Sequence, residues 1–270
     1  MKSILEKVRE INKLLQKSAG NAVDFTEMAV VLRNNIVANV YILGRHGKVL
    51  GFAFMKGFQC PFMHEVVQHR AQFPGNFNLS ALAVTETRAN VSGHSHKCMF
   101  EPNDEHTCQF PYKMITIVPI VGGGVRLGTL VLGKGLELPS ENEAPMFNEE
   151  DLVLAEYGAT VVGMEILRAK AEEAEEEARQ RAAVQIALGT LSYSEREAVE
   201  HIFAELEGNE GLLVASKIAD RAGITRSVIV SALRKFESAG VIESKSLGMK
   251  GTYIRVLNDN LFEELNRTRN

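Results

Sequence analysis

Apolar residues in the first 17 positions fall at helical spacing. Ile4, Leu5, Val8, Ile11, Leu14 and Leu15 share one face, which predicts an amphipathic helix ending before Gly20. A second helix is predicted from Asp24 to Arg33. The pattern then turns β-rich. Residues 37–43 and 48–54, separated by Gly44-Arg45-His46-Gly47, read as a hairpin, and residues 114–120 and 126–132, joined through Gly122-Gly123-Gly124, read as another. Residues 55–112 lack a dominant period and predict a short helix with long loops, where ligand sites on a rigid sheet concentrate. From Asn148 as N-cap, with Glu149, Glu150 and Asp151 in the first turn, helical sequence continues to about Leu188. That is about 60 Å of helix at 1.5 Å per residue. Its first half carries Leu152, Leu154, Val161, Val162, Ile166 and Leu167. The run Glu172-Glu173-Ala174-Glu175-Glu176-Glu177 that follows is a solvated face, so the helix reads as a linker docked at one end. Ser194-Glu195-Arg196-Glu197 predicts a capping box opening a helix that reaches Leu206.

The chain is thus α+β, divided into residues 1–147, a long linker helix over 148–189, and residues 190–270. Its 270 residues are 45% hydrophobic and 24% charged, a soluble globular composition. No uncharged apolar run approaches the roughly 18 residues of a membrane span. The first residues carry Lys2, Glu6 and Lys7 where a signal peptide would be apolar. A cytoplasmic location without a membrane partner is expected. Three cysteines, an odd number, predict reduced thiols in place of a disulfide framework. The formal net charge of −4 excludes a polycation, so a nucleic-acid role requires a local basic surface.

Residues 215–234 supply one. A helix-turn-helix needs a small residue where its helices cross, a glycine at the turn and aliphatic residues toward the core; Ala219, Gly223 and Ile229 meet these needs at the right spacing. Thr225 is placed to cap the second helix, whose first turn presents Arg226 and Ser227 to a major groove. Residues 241–247 and 252–256, flanking Gly248-Met249-Lys250-Gly251, read as a β-wing. Residues 214–255 hold eight basic side chains against three acidic, whereas residues 183–213 hold one against six, so a basic face is set off by an acidic neighbour. The predicted contacts to double-stranded DNA are Ser216, Lys217, Thr225, Arg226, Ser227, Arg234, Lys245 and Lys250. The alternative is a small helical bundle or a protein-binding winged helix without DNA affinity.

These residues, together with 155–167 and 244–254, resemble the CodY family, the nutrient-responsive global transcriptional repressors of low-GC Gram-positive bacteria. The resemblance is close over 148–256 and fair over 1–54 and 113–133. It implies an N-terminal GAF domain with an antiparallel sheet, a long linker helix, a winged helix-turn-helix, and a homodimer or higher oligomer on an AT-rich palindromic operator. It also implies two effectors, a branched-chain amino acid such as isoleucine and GTP. Tyr41, Met63, Phe73 and Phe100 would line the amino-acid pocket. Arg45, His46 and Lys48 in the first hairpin turn, with Glu165 and Lys170 on the linker helix, would serve GTP. Cations pair with phosphates there, and a carboxylate accepts from guanine N–H groups.

The middle of the chain departs from the family pattern. An arginine that grips the amino-acid carboxylate is replaced by Phe62, which leaves a buried carboxylate without its counter-charge. Arg70, Arg88 and Lys97 are candidate replacements, and nothing in the sequence selects among them. Cys98-Met99-Phe100-Glu101 stands where the family has Thr-Ala-Phe-Pro, and residues 99–112 contain extra sequence. The segment from Gly122 to Thr129 has neither Lys-Ser/Thr nor G-x-G-x-x-G and reads as a hairpin turn in place of a phosphate loop.

His94, His96 and Cys98 alternate and would share one face of a strand; His106 and Cys108 follow, and Cys60 and His64 are one helical turn apart. No CxxC or HExxH spacing accompanies them, so no metal site is assigned. The same DNA-binding module with a sensor for a metal ion or redox state stays as the alternative. No nucleophile elbow, P-loop or supported carboxylate pair is present, so the chain is not expected to be an enzyme.

Overall fold

A computed structural model describes residues 2–17, 23–94, 97–101, 108–110, 112–136, 146–206 and 208–268. They form two compact units, residues 1–170 and 171–270.

In the first unit, helices α1 (Ile4–Lys17) and α2 (Phe25–Ile36) precede strands β1 (Asn39–Gly44) and β2 (Val49–Ala53). Asp24 caps α2 by accepting from the Thr26 N–H at 2.7 Å. The helix outlasts its expected end at Arg33 because buried Asn35 and Ile36 extend the stripe of Met28, Ala29 and Leu32. Strands β3 (Arg88–His94), β4 (Tyr112–Gly122) and β5 (Val125–Leu136) complete an antiparallel sheet in the order β2-β1-β5-β4-β3. Both expected hairpins are present.

Side-chain alternation gives the sheet two buried faces. Val40, Ile42, Met114, Val118, Leu130 and Leu132 meet α1, α2 and the first half of α5 (Glu149–Gly189), while Tyr41, Leu43, Ile115, Ile117 and Val131 form a second core on the other face. That second core corrects the expectation for residues 55–112. In place of one short helix and loops there are α3 (Pro61–His64), continued as a π-helical segment Glu65–Arg70, then α4 (Gly75–Leu82) and the edge strand β3. Their buried residues Met63, Val66, Val67, Phe73, Phe77 and Ala81 come from several short pieces, so no single period marks them.

Arg126 ties this layer to the sheet. Its guanidinium donates to the Ala81, Val84 and Gly128 carbonyls and to Thr129 Oγ1 at 3.0 Å. The glycine-rich segment is the tight turn between β4 and β5 and its arginine is structural. Helix α5 starts where expected, with Asn148 Oδ1 accepting from the Asp151 N–H at 2.9 Å. Asn90 fixes the residue before it, donating to the Phe147 carbonyl at 3.0 Å and accepting from the Phe147 N–H at 2.8 Å.

In the second unit the last turns of α5 pack with α6 (Tyr193–Ala204), α7 (Ala215–Ala222), α8 (Arg226–Ser238) and α9 (Leu261–Thr268), and β6 (Glu210–Leu213), β8 (Thr252–Val256) and β7 (Ile242–Ser246) pair in that order. The capping box lies two residues earlier than expected. Ser192 is the N-cap and Glu195, not Glu197, closes it, because the Glu195 side chain points inward and also takes hydrogen bonds from Ser231 and Lys235 at 2.7 Å each. These bonds hold the Glu195 carboxyl at a pKa of about 2. A carboxylate whose pKa is lowered in the folded state stabilises it fully above the unfolded value near 4.5 and loses that contribution as pH falls toward 2. With Lys235 one-third exposed, the contribution is about 2 kcal/mol. Glu195→Gln is therefore expected to be less stable than the parent by about that amount at pH 7. The gap should close between pH 4.5 and 2, as followed by urea unfolding. A gap independent of pH would show that the charge is not what stabilises this junction.

Candidate DNA interface and effector cavity

In the second unit the helix pair meets as the spacing requires. Ile218, Ala219, Ile229, Ala232, Leu233 and Phe236 are buried, and Gly223 ends α7 at φ 68°, a conformation open to glycine at little cost. Turning those residues inward leaves all eight predicted DNA contacts, Ser216, Lys217, Thr225, Arg226, Ser227, Arg234, Lys245 and Lys250, exposed. Arg226, Ser227 and Arg234 line one wall of an open groove of about 960 Å3 along α8. Thr225 occupies the N-cap position, but its hydroxyl meets Ser227 Oγ at 2.8 Å and makes no cap bond to the backbone, a correction to its expected role. Lys250 sits in the short 3-10 turn between β7 and β8, at the tip of the wing.

Acidic neighbours sort the eight basic side chains of this region. Arg221 is bound to Glu205, Lys235 to Glu195 at 2.7 Å, and Arg255 lies 4.0 Å from Glu210 across the β6–β8 pair. Lys217, Arg226, Arg234, Lys245 and Lys250 have no such partner among the described residues and present their charge to solvent. Exposed, unneutralised cations on a helix-turn-helix and its wing are suited to phosphates and base edges.

In the first unit a cavity of about 50 Å3 opens between the sheet and α3, lined by Tyr41, Met63 and Phe100 and by all three cysteines, Cys60, Cys98 and Cys108. Phe73 does not line it. It stands behind, edge-on to Tyr41 and Phe100 at 5.4 and 5.6 Å between ring centres. Phe62, at the position of the missing arginine, packs against the same core. An outer depression of about 510 Å3 adjoins the cavity. Phe58 and Phe110, stacked 5.3 Å apart and 7° from parallel, border both spaces. The cavity as it stands has room for no more than a few waters, so an amino acid must displace side chains, and the adaptable thioethers of Met63 and Met99 are in its wall.

Burial pushes the Cys60 and Cys98 thiols up, the opposite of the lowered pKa that reactive cysteines need. Cys98 lies beyond the end of β3, so it does not share a strand face with His94. His96, His106 and the His94 side chain fall outside the described residues. Among the described residues no three His, Cys, Asp or Glu side chains are placed to hold a metal ion.

Arg45, His46 and Lys48 are exposed in the β1–β2 turn, which is pinned by Asn78 donating to the Arg45 carbonyl at 3.2 Å and Gln72 donating to the His46 carbonyl. Gly44 pairs with Gly128, and near that end of the sheet Gly122 and Val121 pack against Leu167 and Gly163 of α5. The turn and the α5 segment bearing Glu165 therefore lie at one end of the sheet, and Lys170 is exposed one turn further on. Glu165 is engaged within its own helix by Arg168 at 3.7 Å, while its buried Oε2 receives no hydrogen bond.

Two family models match the chain, a CodY GAF-like domain over residues 3–190 and a CodY helix-turn-helix domain over residues 209–269. The global transcriptional regulator CodY of Clostridium botulinum (strain Hall) is 55% identical over 267 residues, covering 99% of each chain. The global transcriptional regulator CodY of Clostridium perfringens (strain SM101) is 54% identical over 267 residues with the same coverage. Among solved structures, the cofactor-binding GAF domain of the nutrient sensor CodY from Clostridium difficile is 36% identical, with a TM-score of 0.40, over 62% of this chain and 99% of that one.

Proposed function

The chain belongs to the CodY family of global transcriptional regulators, and we propose that within it this protein is a cytoplasmic repressor that binds an AT-rich palindromic operator as a homodimer or higher oligomer and answers to isoleucine and GTP. It is a DNA-binding regulator with a GAF ligand-sensing domain and not an enzyme. The observation that carries the reading is the set of five exposed cations on α7, α8 and the wing without an acidic partner among the described residues, on a core that spaces the two helices as a helix-turn-helix requires. The apolar cavity supports an amino acid with an aliphatic side chain. The exposed cations at the β1–β2 turn, with Glu165 at the same end of the sheet, support the nucleotide. Among the described residues no helix is long and apolar enough to cross a membrane.

The test is fluorescence anisotropy with a labelled AT-rich palindrome and a shuffled duplex, each with and without isoleucine and GTP. A coupling free energy of 1–3 kcal/mol corresponds to a change in operator affinity of about 5- to 150-fold. Affinity for the palindrome should shift within that range and exceed that for the shuffled duplex. Equal binding to both duplexes would remove the operator reading. A response to zinc or peroxide without one to isoleucine or GTP would favour the metal or redox alternative.

A further inference from the structure

Helix α8 carries an apolar side chain on the face that its core residues leave outside. Ile229, Ala232, Leu233 and Phe236 fill the core of the second unit and Val228 packs on it, whereas Val230 is only partly buried and takes no part in that cluster. Its place follows from helical spacing. Val230 falls on the stripe of Arg226, Ser227 and Arg234, about 6 Å along the axis from each arginine. Among the described residues of α8 that line the open groove, Val230 alone is apolar.

The polar groups further round this wall are engaged within the protein. Ser231 and Lys235 are bound to Glu195 at 2.7 Å each, and Ser227 Oγ lies 2.8 Å from the Thr225 hydroxyl. The wall therefore offers a ligand two arginines without an acidic partner among the described residues, with a branched apolar side chain between them. In a major groove the base edges present hydrogen-bond donors and acceptors and one apolar group, the 5-methyl of thymine. Against the amino group of cytosine a valine would leave a donor desolvated without a partner, while against the thymine methyl it buries apolar surface on both sides.

We propose that Val230 is a specificity-determining residue of the DNA interface, its methyl groups packing on the 5-methyl of a thymine between the contacts of Arg226 and Arg234. The proposal rests on the reading of α8 as the helix that enters an operator, and it names a base feature that the helix reads there.

The experiment starts from the site that the full-length parent selects from randomised palindromic duplexes with isoleucine and GTP present. Each thymine of that site is replaced in turn by uracil, which lacks only the 5-methyl, in both half-sites, and affinities are measured by fluorescence anisotropy for the parent, Val230→Ser and Val230→Ile. Melting curves show whether each variant is folded. A buried methyl is worth a factor of about four in affinity. At one thymine position the parent should bind the uracil duplex more weakly by about that factor for each half-site. Val230→Ser should bind the two duplexes alike at that position, and Val230→Ile should keep the preference. If no thymine is methyl-sensitive, or if folded Val230→Ser retains the parent's preference, Val230 does not read a methyl, and the operator reading stands. An equal loss on both duplexes in Val230→Ser with the preference intact overturns the proposal too, and the apolar pair of this groove, Val230 and the 66% exposed Ile186 of α5, would then point to a protein partner. If the parent enriches no sequence, the operator reading falls and this one with it.

Discussion

Arg226→Ala is expected to lower affinity for the operator by about 5- to 150-fold, the 1–3 kcal/mol of a base-edge contact, while leaving affinity for random DNA within a few-fold of the parent. Arg226 is the first residue of α8, exposed on the groove wall, and no acid among the described residues competes for its guanidinium. Its neighbours show what competition looks like: Arg221 is held by Glu205 and Lys235 by Glu195, so each must leave an ion pair before it can meet a phosphate. Lys250→Ala at the wing tip should act differently. It should weaken all DNA alike and reduce the slope of log affinity against log salt by about 1, the signature of a lost phosphate contact. Salt titrations of the two variants on operator and shuffled duplexes separate these roles. An equal loss on both duplexes in Arg226→Ala would mean that it contacts backbone and that specificity resides elsewhere on the face.

The basic face was legible because a helix-turn-helix is a local motif. Ala219, Gly223 and Ile229 fix the crossing, and once they turn inward the exposed positions follow from helical spacing. What spacing did not disclose is which cations are neutralised, since Glu195, Glu205 and Glu210 lie 16 to 45 residues from their partners in sequence. The capping box slipped by two residues for a similar reason. Ser192 and Ser194 both have a glutamate three residues on, and only tertiary contacts of Glu195 with Ser231 and Lys235 choose between them.

The cavity of the first unit was legible in its apolar wall. Tyr41, Met63 and Phe100, which the resemblance implies for an amino-acid pocket, line the cavity, whereas the candidate cations Arg70, Arg88 and Lys97 do not. The helical layer over 61–82 was missed because its buried residues come from two short helices and a π-helical segment, none long enough to show a period.

Gly128→Ala is expected to destabilise the first unit by about 3–5 kcal/mol, at the upper end of single substitutions. A Cβ at residue 128 would stand 2.0 Å from the Leu43 carbonyl oxygen and 3.3 Å from Gly44 Cα. These are backbone atoms of the paired strand, so no rotamer change relieves the contact. Relief requires parting β1 from β5 where Leu43 pairs with Thr129 and Gly44 with Gly128. That pairing sets the β1–β2 turn against the β4–β5 turn, and Tyr41 and Val131 on the same two strands face the second core. The variant should therefore lose both the low-denaturant stability of the first unit and the isoleucine response proposed above. DNA affinity measured without effectors should fall much less, because the second unit has a separate core. Gly75→Ala is the control, since a Cβ there meets nothing within 4 Å, and it should stay within about 0.5 kcal/mol of the parent. Urea unfolding followed by far-UV circular dichroism measures all three proteins. If Gly128→Ala unfolded within about 1 kcal/mol of the parent, the close approach of β1 and β5 would be soft, and strand register could not be what holds the cavity wall in place.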